Sequence, residues 1–413
     1  MNIVAGSYEK YILGWTLNHN KQGGKSNGDE EQEVCYLNST FTYPAHMAPI
    51  KCLAMAGPVL VTGGMDDAIK IFDVAAYCEV GSLLHHSAAI TSLSFYGDQC
   101  YGKAEGNDIA YPRNLLSGSL DGNICIWDSD LWVHLKTMKA HKKGVNDLAI
   151  HPSGRLALSV GRDCHLSMFN LIKGRCTFTS NLQKEATLIE FNSRVGDSYS
   201  VGIDEVVSVH NAEDARLLHS LQHSKRVLCL SPAQNGLLLT GGEDSTIRAW
   251  DLASGKISFS LENAHKNRIK GLSVLGPKTS IESDDAPYLV TSASSDGIIR
   301  VWDVRMVKRE NSTPLSETDS KARITCLASS TSNRLRKAQA FIERDLRSEK
   351  GELMASKKES KAKRKSKESN LKEDSHPSFA KKKKSKKLMG IKKKKGMKKK
   401  GVAKHGKLAA ALS

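Results

Sequence analysis

The chain has no paired cysteines: its nine are scattered singly at 35, 52, 78, 100, 125, 164, 176, 229 and 326, without the CxxC spacing of a zinc site or redox pair. An odd, unpatterned set points to reduced thiols in cytosol or nucleus rather than to a disulfide framework. No apolar run is long enough to span a bilayer, and the opening Met1-Asn2-Ile3-Val4-Ala5-Gly6-Ser7 lacks the basic start and apolar core of a signal peptide. Secretion and membrane insertion are therefore not expected. Gly63-Gly64, Gly118 and Gly241-Gly242 precede turns rather than helices, so a phosphate-cradling loop is not expected.

What is present is a strong charge asymmetry. The formal charge of the 413 residues is +17, yet residues 331–413 hold 29 Lys+Arg against 8 Asp+Glu, which leaves the first 330 at −4. The near-neutral part, 1–330, has the length to bury a large core, in a chain of which 39% is hydrophobic. Within 331–355, Leu335, Ala338, Ile342 and Leu346 recur at helical spacing and predict a short amphipathic helix. Residues 356–413 read as a disordered tail. Its like-charge blocks are Lys381, Lys382, Lys383 and Lys384, then Lys392, Lys393, Lys394 and Lys395, then Lys398, Lys399 and Lys400. Such blocks suit nuclear import or salt-dependent contact with RNA phosphates, and carry no base readout.

The first 330 residues repeat. Short alternating strands end in Phe72-Asp73, Trp127-Asp128, Phe169-Asn170, His210-Asn211, Trp250-Asp251 and Trp302-Asp303, with Trp15-Thr16 as a degenerate copy. Seven residues before the second member of each pair lies an acid: Asp66, Asp121, Asp163, Asp204, Asp244, Asp296 and Glu9. Four residues before each Asp lies a hydroxyl: Thr62, Ser117, Ser159, Ser200, Thr240 and Ser292. Ahead of the repeats stand His46, His86, His141, His223 and His265, each four residues before a β-branched residue, with Gln183 in that place in one repeat.

These offsets resemble those of the WD-repeat family and predict an all-β, seven-bladed propeller of four-stranded blades. The N-terminal segment supplies two middle strands and an outermost strand, and Arg323-Ile324-Thr325-Cys326-Leu327-Ala328-Ser329 has the character of the missing innermost one, closing the ring. The His/Asp/hydroxyl sets, joined by Trp127, Trp250 and Trp302, are expected to satisfy one another's hydrogen bonds at blade edges. His141, Asp163 and Ser159 have the residue types of a hydrolytic triad, but a set recurring in five blades reads as structure, and no enzyme is expected. No cofactor, metal or small-molecule substrate is implied.

A functional reading attaches to the loops entering the innermost strands. Arg226, Arg268 and Arg323 occupy one position in three successive blades, with Lys142 and Lys143 nearby in another, so a basic arc is expected at the channel mouth. Inserts at 18–33, 97–114 and 276–287, and the tail, are expected to leave from the opposite face.

Beyond the generic repeat, Ile3-Val4-Ala5-Gly6-Ser7-Tyr8-Glu9, the segment around His85-His86, and His151-Pro152-Ser153-Gly154-Arg155 are similar to the p21-activated-kinase-interacting WD-repeat proteins and their fungal ribosome-assembly relatives. That resemblance implies a nucleolar factor for large-ribosomal-subunit biogenesis, with pre-ribosomal proteins and ribosomal RNA as partners. It also implies, as an alternative, restraint of a p21-activated kinase.

Overall fold

The structure, a computed structural model, describes residues 1–21, 33–96, 113–192, 196–233, 236–275, 289–304 and 313–330. The expected helix at 331–355, the tail at 356–413 and most of the three inserts lie outside them. All described residues belong to a unit bounded by Met1–Arg347.

These residues form seven antiparallel sheets of four strands each. Blade 1 combines β1 (Asn2–Ser7), β2 (Tyr11–Lys21) and β3 (Glu33–Pro44) with β28 (Ile324–Ser330) in the order β28-β1-β2-β3. Each remaining blade takes four consecutive strands. Their innermost members are β4 (Ile50–Ala56), β8 (Ile90–Tyr96), β12 (Val145–Ile150), β16 (Leu188–Phe191), β20 (Val227–Pro232) and β24 (Ile269–Leu275), in blades 2 to 7. Each innermost strand lies beside the next in that order, and β28 lies against both β24 and β4.

Burial grades outward along each blade. The second strands are the most buried because both faces pack on neighbouring blades, and β5 (Val59–Gly64) and β25 (Leu289–Ser294) are buried at every residue. The outermost strands, such as β7 (Cys78–Leu84) and β15 (Arg175–Asn181), are mostly exposed and carry the polar residues. The core is a series of clusters lying between blades: Ile69, Ile71 and Val61 of blade 2 meet Ile90, Leu115 and Trp127 of blade 3.

Two local devices recur. The residue after the turn acid adopts positive φ at Lys10, Asp67, Gly122, Cys164, Ser245 and Gly297, a conformation costly for side chains with a Cβ. The acid offsets this by accepting the backbone N–H two residues on, as Asp121 does from Asn123 at 2.8 Å and Asp244 from Thr246 at 3.2 Å. Six of the seven innermost strands, all but β16, also open with a bulge, skipping Lys51, Thr91, Asn146, Leu228, Lys270 and Thr325 in the ladder. Thr91 uses its bulge to donate to the Val145 carbonyl of the next blade at 2.9 Å.

Candidate functional site

The His/Asp/hydroxyl sets of blades 2, 3 and 4 are joined by hydrogen bonds. In blade 3 they form a directional chain: Trp127 Nε1–H donates to Ser117 Oγ at 2.8 Å, Ser117 lies 2.8 Å from His86 Nε2, and His86 Nδ1 lies 3.0 Å from Asp121. Blades 2 and 4 repeat it without the indole, through His46, Thr62 and Asp66 and through His141, Ser159 and Asp163, at 2.7 to 2.9 Å. Burial holds all three imidazoles below the ordinary histidine range, against the pull of their aspartates, so they are neutral donors at pH 7. Thr62, Ser117, Ser159 and Ser292 have 0% exposure and Thr240 has 1%. A hydroxyl sealed in this way cannot reach a substrate carbonyl, which removes the hydrolytic reading.

Blades 6 and 7 depart from the expected Asp–His link. The residue paired opposite the hydroxyl is Arg248 or Arg300, where blades 3 and 4 carry the short Cys125 and Ser167. Arg248 inserts its guanidinium between the partners, donating to His223 Nδ1 at 3.0 Å and pairing with Asp244 at 3.2 Å. In blade 7, Arg300 turns instead to Glu317 and the Ala264 carbonyl. His265 Nδ1 and Asp296 Oδ2 are then both buried without a hydrogen-bond partner. The hydroxyl ends persist, with Trp250 on Thr240 at 3.0 Å, Trp302 on Ser292 at 2.9 Å and His265 on Ser292 at 2.7 Å. In blade 5, Gln183 is exposed and does not replace a histidine; the buried Asn192 accepts from Ser200 at 2.6 Å instead.

With those sets assigned to architecture, the loops entering the innermost strands stand out. The equivalence of Arg226, Arg268 and Arg323 is visible in the backbone: their carbonyls accept from Glu243, Ser295 and Tyr8 at 3.0, 3.1 and 2.8 Å. Pro49, Ala89 and Gly144 accept the matching bond in blades 2, 3 and 4. Three adjacent blades, 6, 7 and 1, thus present an arginine at one structural position, with Arg226 and Arg323 exposed. Arg323 is held over the Tyr8 ring at 5.2 Å while its N–H donates to Glu9 at 3.0 Å.

The bulges extend the arc with two cations that the residue offsets do not reveal. Burial first, and then the charges of Arg268 and Lys51, hold the Lys270 ammonium below its ordinary range, which places these three cations in one field across blades 7 and 2. On the inner wall, burial and then Asp147 push Glu190 up to about 8, so it is largely uncharged at neutral pH. Lys142 and Lys143 are exposed in the corresponding loop of blade 4, but blade 5, with exposed Asp204 and Glu205, separates them from the arc. They are not brought together with the three arginines.

Beside the arc lies an apolar shoulder: Tyr8 of blade 1 is 51% exposed, and Met47 and Met65 of blade 2 are 85% and 52% exposed. Met65 is the residue whose N–H bonds the Pro49 carbonyl, so the shoulder occupies in blade 2 the position that the arginine loops occupy next door. Arginine beside exposed aromatic and methionine side chains is the composition of a protein-binding surface. The blade ends that carry the inserts, at Lys21, Tyr96 and Leu275, are the opposite ends of these strands, as is Ser330.

Seven such sheets around one axis, with these turn networks, define a WD-repeat propeller, and the family model described as "WD domain, G-beta repeat" matches residues 37–73, 78–128, 132–170, 215–251 and 257–303. The chain is 35% identical over 327 residues to the zebrafish (Danio rerio) "p21-activated protein kinase-interacting protein 1-like", covering 79% of this chain and 80% of that protein. It is 32% identical to the human "p21-activated protein kinase-interacting protein 1" over 79% of this chain and 76% of the relative. It is also 29% identical to the Saccharomyces cerevisiae "Protein MAK11" over 73% and 77%. Within the WD-repeat class, the chain belongs to the family of the p21-activated protein kinase-interacting proteins.

Proposed function

We propose that this protein is a non-catalytic scaffold in nucleolar assembly of the large ribosomal subunit precursor. It holds a folded protein partner on the face of Arg226, Arg268 and Arg323, and pre-ribosomal RNA through the lysine blocks of residues 381–400. The observation that carries the reading is the pairing of two unlike surfaces in one chain. One is a ring mouth with arginines beside Tyr8, Met47 and Met65; the other is a terminal segment whose 29 basic residues face 8 acidic ones. The first suits a folded partner with acidic and apolar contacts, and the second suits a polyanion of any sequence. Closure of the ring by β28 supports the scaffold role, since it ties the start of the propeller to its end and leaves β1 without a free edge.

A second reading, docking to a p21-activated kinase, is favoured by the names of the vertebrate relatives and uses the same arginine face. Affinity purification of the tagged chain separates the two. Recovery of ribosomal RNA precursors, lost on removal of the lysine blocks, supports the ribosomal reading. Recovery of a kinase without precursor RNA replaces it with the second.

A further inference from the structure

We propose that His85, His134 and Cys125 form a binding site for a borderline divalent metal ion, Zn2+, on the outer edge of blade 3. Their ligand atoms all lie within 4.8 Å of one another. The convergence comes from the fold. Cys125 lies on β10 (Asn123–Asp128) opposite Thr137 of β11 (His134–Lys139), and the ladder shifts register between Ile126 and Trp127. That bulge at Leu135 places His134 and Thr137, three residues apart, on one face of the strand. His85 arrives from the connection between blades 2 and 3, immediately before His86, whose ring is fixed by Asp121 and Ser117.

The three side chains share a focus. His85 Nε2 lies 2.9 Å, His134 Nε2 2.8 Å and Cys125 Sγ 3.5 Å from the Thr137 hydroxyl. The two imidazoles are stacked with centroids 3.9 Å apart and 23° between planes, and Trp127 stands edge-on to both. Trp127 is itself locked by its indole bond to Ser117. Trp127, which takes no part in binding, thus packs both imidazoles on the edge of blade 3 beside Cys125.

Two imidazole nitrogens and one sulfur suit a tetrahedral ion with N and S distances of about 2.0 and 2.3 Å, in which ligand atoms lie about 3.3 to 3.7 Å apart. Rotation of the exposed His85 and half-exposed His134 side chains brings the set to that spacing, with the Thr137 hydroxyl or a water as fourth ligand. On binding, the Cys125 S–H bond is replaced by a sulfur–metal bond and its proton leaves to solvent; no electron is transferred. The ion would pin the connection between two blades to the outer strands of blade 3.

The test uses the full chain, stripped with a chelator under reducing conditions and titrated with Co2+. The expected result is a thiolate-to-cobalt charge-transfer band with the intense visible bands of four-coordinate Co2+, at one equivalent and displaced by Zn2+. Cys125→Ser should abolish the charge-transfer band, and His85→Ala or His134→Ala should weaken binding by at least about tenfold. Because Cys125 is buried and its replacement risks the fold, the two histidine variants carry the test independently. No charge-transfer band in the parent protein, a band that survives in folded Cys125→Ser, or unchanged affinity in both histidine variants would overturn the site.

Discussion

Asp121 and Asp296 occupy the same place in the repeat, yet the structure predicts very different costs for removing them. In blade 3 the Asp121 carboxylate accepts from His86 at 3.0 Å, from the Ser87 N–H at 3.2 Å and from the Asn123 N–H at 2.8 Å. The His86 side chain is 1% exposed, so Asp121→Ala strands a buried imidazole N–H at the end of a chain that runs back to Trp127. One stranded buried donor costs about 1–3 kcal/mol, and loss of the two turn bonds brings the total to about 2–4 kcal/mol. In blade 7, among the described residues, Asp296 accepts from the Ile298 N–H at 3.1 Å, while its other oxygen and His265 Nδ1 are already without partners. Asp296→Ala should therefore cost no more than about 1 kcal/mol. Thermal midpoints of the two variants, measured side by side in the same protein, decide the matter without absolute free energies. A shift for Asp121→Ala several times that for Asp296→Ala is expected. Equal shifts would show that the acid acts through the turn alone and that the histidine bond contributes nothing.

Three further outcomes follow from the geometry. Burial, then the nearby arginine, holds His223 and His265 down to about 4, whereas the unfolded chain protonates them near 6.5, so the unfolded state binds more protons between those values. Stability should fall as pH drops from 6.5 toward 4, by up to about 1.4 kcal/mol per unit for each histidine, and His265→Gln should flatten a urea-midpoint profile over that window. The depressed aspartates Asp66, Asp121 and Asp163 act lower, their contribution being lost only below about pH 4. Arg226→Glu, Arg268→Glu and Arg323→Glu combined should remove partner proteins from affinity purifications with the circular dichroism spectrum unchanged; an unaltered partner set would return the three to ordinary rim charges. Truncation after residue 355 should abolish nucleolar accumulation and flatten the salt dependence of RNA binding, and an unchanged slope of log affinity against log salt would refute a phosphate-binding role.

The blades were legible because their information is local. An acid seven residues before the strand end and a hydroxyl four residues before that acid are set by one tight turn, and the same turn recurs whatever surrounds it. What the offsets could not show depends on the residue across the ladder. Whether Asp244 meets His223 is decided by Arg248, which lies opposite Thr240 and is long enough to intrude, whereas Ser167 opposite Ser159 is not. Lys51 and Lys270 were hidden for a related reason, since they occupy bulges, and a bulge is an extra residue that strict alternation reads as an interruption. Met47 and Met65 join the arginine face only because β28 sets blade 1 between blades 7 and 2, a relation between residues nearly three hundred apart in the chain. The shared position of the three arginines was legible in the residue offsets, as was the place of Lys142 and Lys143 in the matching loop two blades before Arg226.

Ring closure can be tested through its own register. In blade 1, Asn2 of β1 pairs with Ser330 of β28, and both side chains are half-buried at the strand end. Directly opposed residues on antiparallel strands have Cα atoms about 4.5–5.5 Å apart, inside the range that a disulfide spans. Asn2→Cys combined with Ser330→Cys should therefore oxidise readily, at the cost of a 3.1 Å bond from Thr16 to Asn2 and a weak one from Ser330 to Gly57. The covalent loop would enclose the whole propeller, and loop-closure entropy for about 330 residues corresponds to a stabilisation of up to about 6 kcal/mol relative to the open unfolded chain. The measurements are mobility on a denaturing gel, where the cross-linked chain should run ahead of its reduced form, and the thermal midpoint, which should rise on oxidation and return on reduction. A pairing of β1 with some other strand, or a propeller left open, would separate the two cysteines. The double variant would then stay reduced or form linked dimers, and the midpoint would not move.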